Sequence, residues 1–324
     1  MNGYISNMDI LAFSSKIRSK IKPNVFKTKY ENLITYVGEK FQQDSKAKIY
    51  VVSDSIIAIS QELRMVINYS RMIYTWGMLN DFWIRGGIAQ GEIEIADSTT
   101  IVRGNENIIL PYLGDAYLTA YNLESELNTA GIVIDENIKS NNPDLPLEVE
   151  YVDGYMEYQE YLPKEGSDRK KQLIVPSKND EIYIADRLHF REMLRSHADD
   201  IDKYVNTFCF YIKLLLPRSH KENVMNFLKR LIEQLKLHGR RFLIPQKVII
   251  IFVAAIDALI ERHNDPAQKY TKSLLKADIG RILDALKAQG YLSAFSDYLL
   301  EFDKKRKTKL YKEVHDILLG EGRR

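Results

Sequence analysis

Residues 49 to 59 read Ile49-Tyr50-Val51-Val52-Ser53-Asp54-Ser55-Ile56-Ile57-Ala58-Ile59. Two β-prone runs, Ile49 to Val52 and Ser55 to Ile59, flank a polar pair, which is the pattern of a hairpin with a polar tip. Upstream, Tyr4 to Phe13 reads as a strand running into a turn, and Phe26 to Phe41 spaces its apolar residues for a helix. Downstream, Gln61 to Phe82 is a second helix and Trp83 to Ile95 a fourth strand. That strand carries Gly86, Gly87 and Gly91, which a strand interior accepts for a bulge or for close approach of another backbone or a ligand. Strand, helix, hairpin, helix, strand is the split βαβ order of an α+β sandwich with helices on one sheet face.

Further along, Gly114 to Leu127 suits a short helix, Ile132 to Ile134 a strand, and Leu147 to Tyr161 an acidic, tyrosine-rich hairpin. Pro163 to Lys178 is polar and basic and reads as a mobile loop. From about Ala185 the texture becomes helical: Val224, Phe227, Leu228, Leu231, Ile232 and Leu235 share one face, and similar patterns cover Leu274 to Leu286 and Tyr291 to Phe302. The 324 residues therefore divide into an α+β domain, 1–184, and a helical C-terminal domain, 185–324.

Bulk properties exclude several classes. Forty-six Lys and Arg against forty-four Asp and Glu leave a net charge of +2, too little for a general nucleic-acid binder. The start of the chain lacks the basic and apolar regions of a signal peptide. The longest apolar run, Val248 to Ile256, is far shorter than the ~20 residues that span a bilayer, and reads as a buried helix. The single cysteine, Cys209, lies in an apolar run, so a buried thiol in a reducing cytoplasm is expected.

Two aspartates carry the candidate chemistry. Asp9 ends an apolar strand and Asp54 sits at the hairpin tip. If these strands pair centrally, both carboxylates emerge at one sheet end and can hold two hard cations about 4 Å apart. From spacing alone, the plainer reading of Asp9 as a turn residue and Asp54 as a hairpin-tip residue comes first. No histidine precedes His189, so a site in the first half has oxygen ligands suited to Mg²⁺ or Mn²⁺. Backbone N–H groups from Leu11 to Ser15, at a helix start, can cradle phosphates, with Ser14 and Ser15 alternatively helix caps.

Four segments in register resemble the class III nucleotidyl cyclases. Met8 to Ser14 (MDILAFS) is similar to their first metal-binding segment, and Val51 to Ile59 (VVSDSIIAI) to their hairpin with the second metal aspartate. Ile84 to Ile93 (IRGGIAQGEI) is similar to their R-x-G-I-x-x-G strand, and Tyr112 to Ser125 (YLGDAYLTAYNLES) to their G-[ND]-x-x-N-x-A-x-R helix. The resemblance implies a ferredoxin-like cyclase sandwich. It also implies that a nucleoside triphosphate is closed to its 3′,5′-cyclic monophosphate, with pyrophosphate released. Asp9, the Ile10 carbonyl and Asp54 would bind two Mn²⁺ or Mg²⁺ ions per site, with Asp9 and Asp54 catalytic. Ala12, Phe13, Ser14, Tyr50 and Asn122 would contact substrate.

Departures from the family pattern point to the base. Where purine cyclases carry a base-reading lysine stands Tyr50, and where adenylate cyclases carry an aspartate or threonine stands Pro111. An aromatic ring suits a smaller base and leaves adenine's polar edge unread. This pair is similar to the bacterial pyrimidine cyclases of Pycsar anti-phage systems, with UTP ahead of CTP. The same resemblance implies a lyase making cyclic UMP or cyclic CMP as a second messenger in antiviral defence. It implies a cytoplasmic homodimer with no membrane or nucleic-acid partner, its product read by a separate cyclic-nucleotide-binding effector. Tyr50 also reads as a strand residue filling a dimer interface. Leu118 and Asn122 stand where the family has its transition-state asparagine and arginine, which leaves Arg85 or Arg103 to serve, or a catalytically dead regulatory module. An adenylate or guanylate cyclase is the remaining enzyme alternative.

Overall fold

The computed structural model describes residues 2–11, 13, 23–41, 46–95, 112–127, 129–142, 149–151, 172–174, 198–218, 221–238, 245–306, 312 and 314. Chain contacts divide it into two compact units, Met1–Asp180 and Glu181–Arg324, a boundary beside the one drawn from sequence.

The first unit is α+β. Strand β1 (Asn2–Ile10) is followed by α1 (Pro23–Phe41), the hairpin β2 (Ala47–Val52) and β3 (Ser55–Ser60), α2 (Leu63–Leu79) and β4 (Ile84–Glu92). Then come β5 (Glu94–Ile95), β6 (Tyr112–Leu113), α3 (Asp115–Glu126), β7 (Gly131–Ile134), α4 (Glu136–Asn141), β8 (Val149–Tyr151) and β9 (Gln172–Ile174). Seven strands form one sheet in the order β2-β3-β1-β4-β7-β9-β8, while β5 and β6 pair separately. The first four of these run antiparallel to their neighbours, and β4 pairs with β7 in parallel. β1 and β2 are thus separated by β3, and β3 and β4 by β1, so each helical crossover skips one strand.

The expectation of helices on one face needs correction. Strand residues alternate between faces, and the two sides of β4 meet different helices. Ile84 packs against Gly77 of α2, whereas Gly87 and Gly91 lie against Ala120 and Ala116 of α3. α1 lies beside α2, with Tyr36 and Trp76 stacked at 5.1 Å. α3 can lie close on the second face because β4 has glycine at two of the positions beneath it: a Cβ on Gly87 would stand 2.3 Å from the Ala120 carbonyl oxygen. The turn into α3 needs Gly114 at φ 150°, where a Cβ would meet the Glu92 carbonyl oxygen at 2.3 Å.

Two other expectations shift. α2 stops at Leu79 rather than Phe82, because Asp81 adopts φ 65° and turns the chain. Phe82 and Trp83 then enter the core, each 1% exposed. The stretch Pro163 to Lys178, expected to be a loop, contains β9, whose Leu173 pairs with Val133 of β7 and Glu150 of β8. The strand within Leu147 to Tyr161 therefore takes its partner from β9. Leu173-Ile174-Val175 is a run of three apolar residues ended by Pro176, too short a signal to read as a strand on its own.

The second unit is helical among its described residues: α5 (Ala198–Arg218), α6 (Lys221–His238), α7 (Pro245–Asn264), a 3₁₀ turn (Pro266–Gln268), α8 (Lys272–Ala288) and α9 (Leu292–Arg306). Val248 to Ile256 is buried in α7, and Cys209 is a buried free thiol in α5. Asp257, which ends that apolar run, pairs at 2.6 Å with Lys213, whose side chain is 5% exposed. Burial opposes the charge on Lys213, but Asp257 and Glu261 outweigh it and raise its pKa. Among the described residues no helix is long and apolar enough to cross a membrane.

Candidate functional site

Asp9 is the penultimate residue of β1, opposite Ser55 of β3 and Arg85 of β4. The Ile10 amide donates to the Asp54 carbonyl at 3.1 Å, and the Leu11 amide to the Trp83 carbonyl at 2.7 Å. These bonds tie the end of β1 to the hairpin tip, so Asp9 and Asp54 reach the same end of the sheet. Ser53, before Asp54, takes φ 54°, the left-handed turn that a tight hairpin requires.

Asp9 is held in an unusual state. Burial raises its pKa from 3.8 to about 7, helped by the negative charges of Glu124 and Asp54 and opposed by Arg85. Arg85 Nη2 lies 3.4 Å from Asp9 Oδ2, Nε 2.6 Å from Glu124 Oε1, and Nη1 donates to the Leu127 carbonyl at 3.0 Å. All three side chains are enclosed: Arg85 is 15%, Asp9 20% and Glu124 5% exposed.

Glu124 is the site residue that sequence reasoning missed. A signal for it existed. α3 turns Ala116, Ala120 and Glu124 to the sheet at a spacing of four, while β4 offers Arg85, Gly87, Ala89 and Gly91 on one face. Two stripes of small residues, each ending in a charge of opposite sign, have a packing and an ion pair written into them.

The other expected residues are distributed unevenly. Tyr50 lies on the same face as Asp9, in the cross-strand row Tyr50, Ile57, Asn7, Gly87. It packs half-buried against the core of Ile5, Ile57, Ile59, Ala89, Ala116 and Ala120. Asn122 is exposed on α3, with Leu118 at 58% and Tyr121 at 49% exposure, whereas Glu124 is turned inward. The fold therefore does not bring Asn122 to Asp9 within one chain. Phe13 packs 5.5 Å from Phe26 and 5.4 Å from Tyr30. Ala12, Ser14, Arg103 and Pro111 lie outside the described residues.

The donors suit a hard divalent cation. Two carboxylates and a backbone carbonyl offer oxygen atoms, and Asp9 has a desolvated carboxyl, its charge repelled by Glu124 and Asp54, that a cation would stabilise. Among the described residues no group of three or more His, Cys, Asp or Glu is arranged to hold a metal. A cation bound here would complete its shell with backbone, water and phosphate oxygens, as Mg²⁺ commonly does.

No family model matches this chain, and no curated protein matches it at a significant level of sequence similarity.

Proposed function

We propose that the chain is a nucleotidyl cyclase of the class III type, closing UTP, or secondarily CTP, to its 3′,5′-cyclic monophosphate. The observation that carries this reading is the delivery of Asp9 and Asp54 to one sheet end, tied by the Ile10–Asp54 backbone bond. The antiparallel order β2-β3-β1-β4 agrees with a ferredoxin-like cyclase sandwich.

Asp9, the Ile10 carbonyl and Asp54 would hold two Mn²⁺ or Mg²⁺ ions. Such ions supply Lewis-acid activation of the ribose 3′-hydroxyl and charge neutralisation on the triphosphate. The O3′–Pα bond forms as the bond from Pα to the pyrophosphate oxygen breaks, and the hydroxyl proton passes to solvent. Asp9 and Asp54 fix where these charges gather, and the enclosing Glu124, Arg85 and Leu127 keep bulk water from that side of Asp9. Tyr50, half-exposed on its strand, offers a ring face to a pyrimidine.

A second copy of the chain completes the site. Asn122 points away from its own Asp9, and Leu118 and Tyr121 beside it are large exposed apolar side chains. An isologous dimer would cover them and present Tyr50 and α3 of one subunit to Asp9 of the other. The product would act as a second messenger on a separate effector, in a cytoplasmic, antiviral setting. A catalytically silent module is favoured by one observation only, the apolar Leu118 and neutral Asn122 at the phosphate-clamping positions.

The test is direct. Purified protein is incubated with each labelled ribonucleoside triphosphate and Mn²⁺, and cyclic monophosphate and pyrophosphate are resolved. UTP or CTP is turned over ahead of ATP and GTP. A purine preference sinks the role of Tyr50, and no turnover with any nucleotide favours the silent module.

A further inference from the structure

Tyr30 belongs to α1 and to none of the segments that carry the cyclase resemblance, yet it contacts both the segment after Asp9 and the tip that carries Asp54. Its hydroxyl donates to the Ser53 carbonyl, at the residue immediately before Asp54. Ser53 sits at φ 54°, a conformation that a residue with a Cβ keeps only where its surroundings hold it. The Tyr30 ring lies 5.4 Å from Phe13, three residues beyond Ile10.

The ring is itself fixed. Phe26 stacks on Tyr30 at 6.5 Å and meets Phe13 edge-on at 5.5 Å and Phe82 at 5.7 Å. The preceding residue, Lys29, pairs with Asp81 at the turn between α2 and β4. A side chain anchored on both sides sets the reach of its hydroxyl, and that reach sets the hairpin tip.

We propose that Tyr30 is a positioning residue: by clasping the Ser53 carbonyl while packed on Phe13, it fixes Asp54 relative to Asp9 so that both can share divalent cations. This rests on the cyclase reading of the same site. No contact between Tyr30 and substrate is involved, so its effect runs through metal affinity.

The experiment compares wild type, Tyr30→Phe and Tyr36→Phe. The first variant keeps the ring and loses the hydroxyl. The second makes the same change on the same helix at a ring stacked on Trp76 instead. Mn²⁺ binding is read from the free-ion electron paramagnetic resonance signal, without nucleotide. One lost hydrogen bond at a positioned ligand weakens binding about fivefold in Tyr30→Phe, and Tyr36→Phe binds as wild type does. In turnover assays the Mn²⁺ concentration for half-maximal rate rises by the same factor, while kcat at saturating Mn²⁺ returns to near wild type. In the metal-free protein the amides of Val52 to Ser55 exchange with deuterium faster in Tyr30→Phe. Equal Mn²⁺ binding by wild type and Tyr30→Phe, or an unchanged exchange rate at the tip, overturns this inference alone. A wild-type protein that binds no Mn²⁺ overturns this inference, and one that also turns over no nucleotide overturns the cyclase reading with it.

Discussion

Replacing Asp9 by Asn should stabilise the metal-free protein, and by an amount that depends on pH. Asp9 is buried beside Glu124 and Asp54, and its pKa rises from 3.8 to about 7 in the fold. A carboxyl raised in this way is protonated more readily in the native state than in the unfolded chain. Below pH 3.8 it contributes no difference. As pH climbs from there toward 7, the unfolded chain ionises first and stability falls, and above 7 the loss is complete. A shift of about three units at 1.36 kcal/mol each sets a ceiling of about 4 kcal/mol, and relaxation with water entry brings the expected loss nearer 2 kcal/mol. Asn removes this term while filling the same volume, and Arg85 keeps Glu124 and the Leu127 carbonyl as partners. In excess chelator, urea unfolding of the first unit at pH 5, 6, 7 and 8 should show an advantage of Asp9→Asn that widens with pH to about 2 kcal/mol. A constant difference across that range, or wild type the more stable at pH 8, would mean that Asp9 is not buried with uncompensated charge. On the proposed function, the same variant should also lose cyclase activity at every pH.

Three further perturbations test other parts of the structure. Gly87→Ala places a methyl group against the Ala120 carbonyl and Leu123 and forces α3 off the sheet, so thermal stability drops by about 1–3 kcal/mol. Gly91→Ala, whose Cβ meets Ala116 only at 3.3 Å or beyond, should cost clearly less, and an equal cost contradicts the packing of α3. Lys213→Ala removes the buried ammonium that Asp257 and Glu261 face in the helical unit and costs about 2 kcal/mol in urea titration. Lys213→Met keeps the buried stem, and a loss as large as that of Ala shows that the stem's packing does not matter. Finally, co-expressed Asp9→Ala and Tyr50→Ala subunits, each nearly inactive alone, should recover roughly a quarter of wild-type turnover through the intact site of mixed dimers. Purified mixed dimers as inactive as their parents would show that Tyr50 does not serve the partner's Asp9.

The hairpin at Ser53-Asp54 and the strand ending at Asp9 were legible because each is a short apolar run ended by turn-forming polar residues, a purely local pattern. The helical second unit was legible because one-face apolar spacing needs no partner to be recognised. Glu124 was not, because a carboxylate in a helix reads as solvated until the opposing surface is known. β9 was hidden for a similar reason: Leu173 and Ile174 form a strand only because the edge of β7 is free to take them.

The amino-acid sequence by itself determined the element order of the first unit from β1 to β4, the helix α3, the tip position of Asp54 and the burial of the Val248–Ile256 run. Each of these follows from neighbours within a few residues, through backbone preference and periodicity. Only the tertiary structure decided that α3 covers the face opposite α1 and α2, that Arg85 bridges Asp9 to Glu124, and that Asn122 turns away from Asp9. Those facts depend on which face of β4 carries the glycines Gly87 and Gly91 and on charges 39 to 115 residues apart meeting in a desolvated space, where burial, rather than local preference, sets the pKa of Asp9.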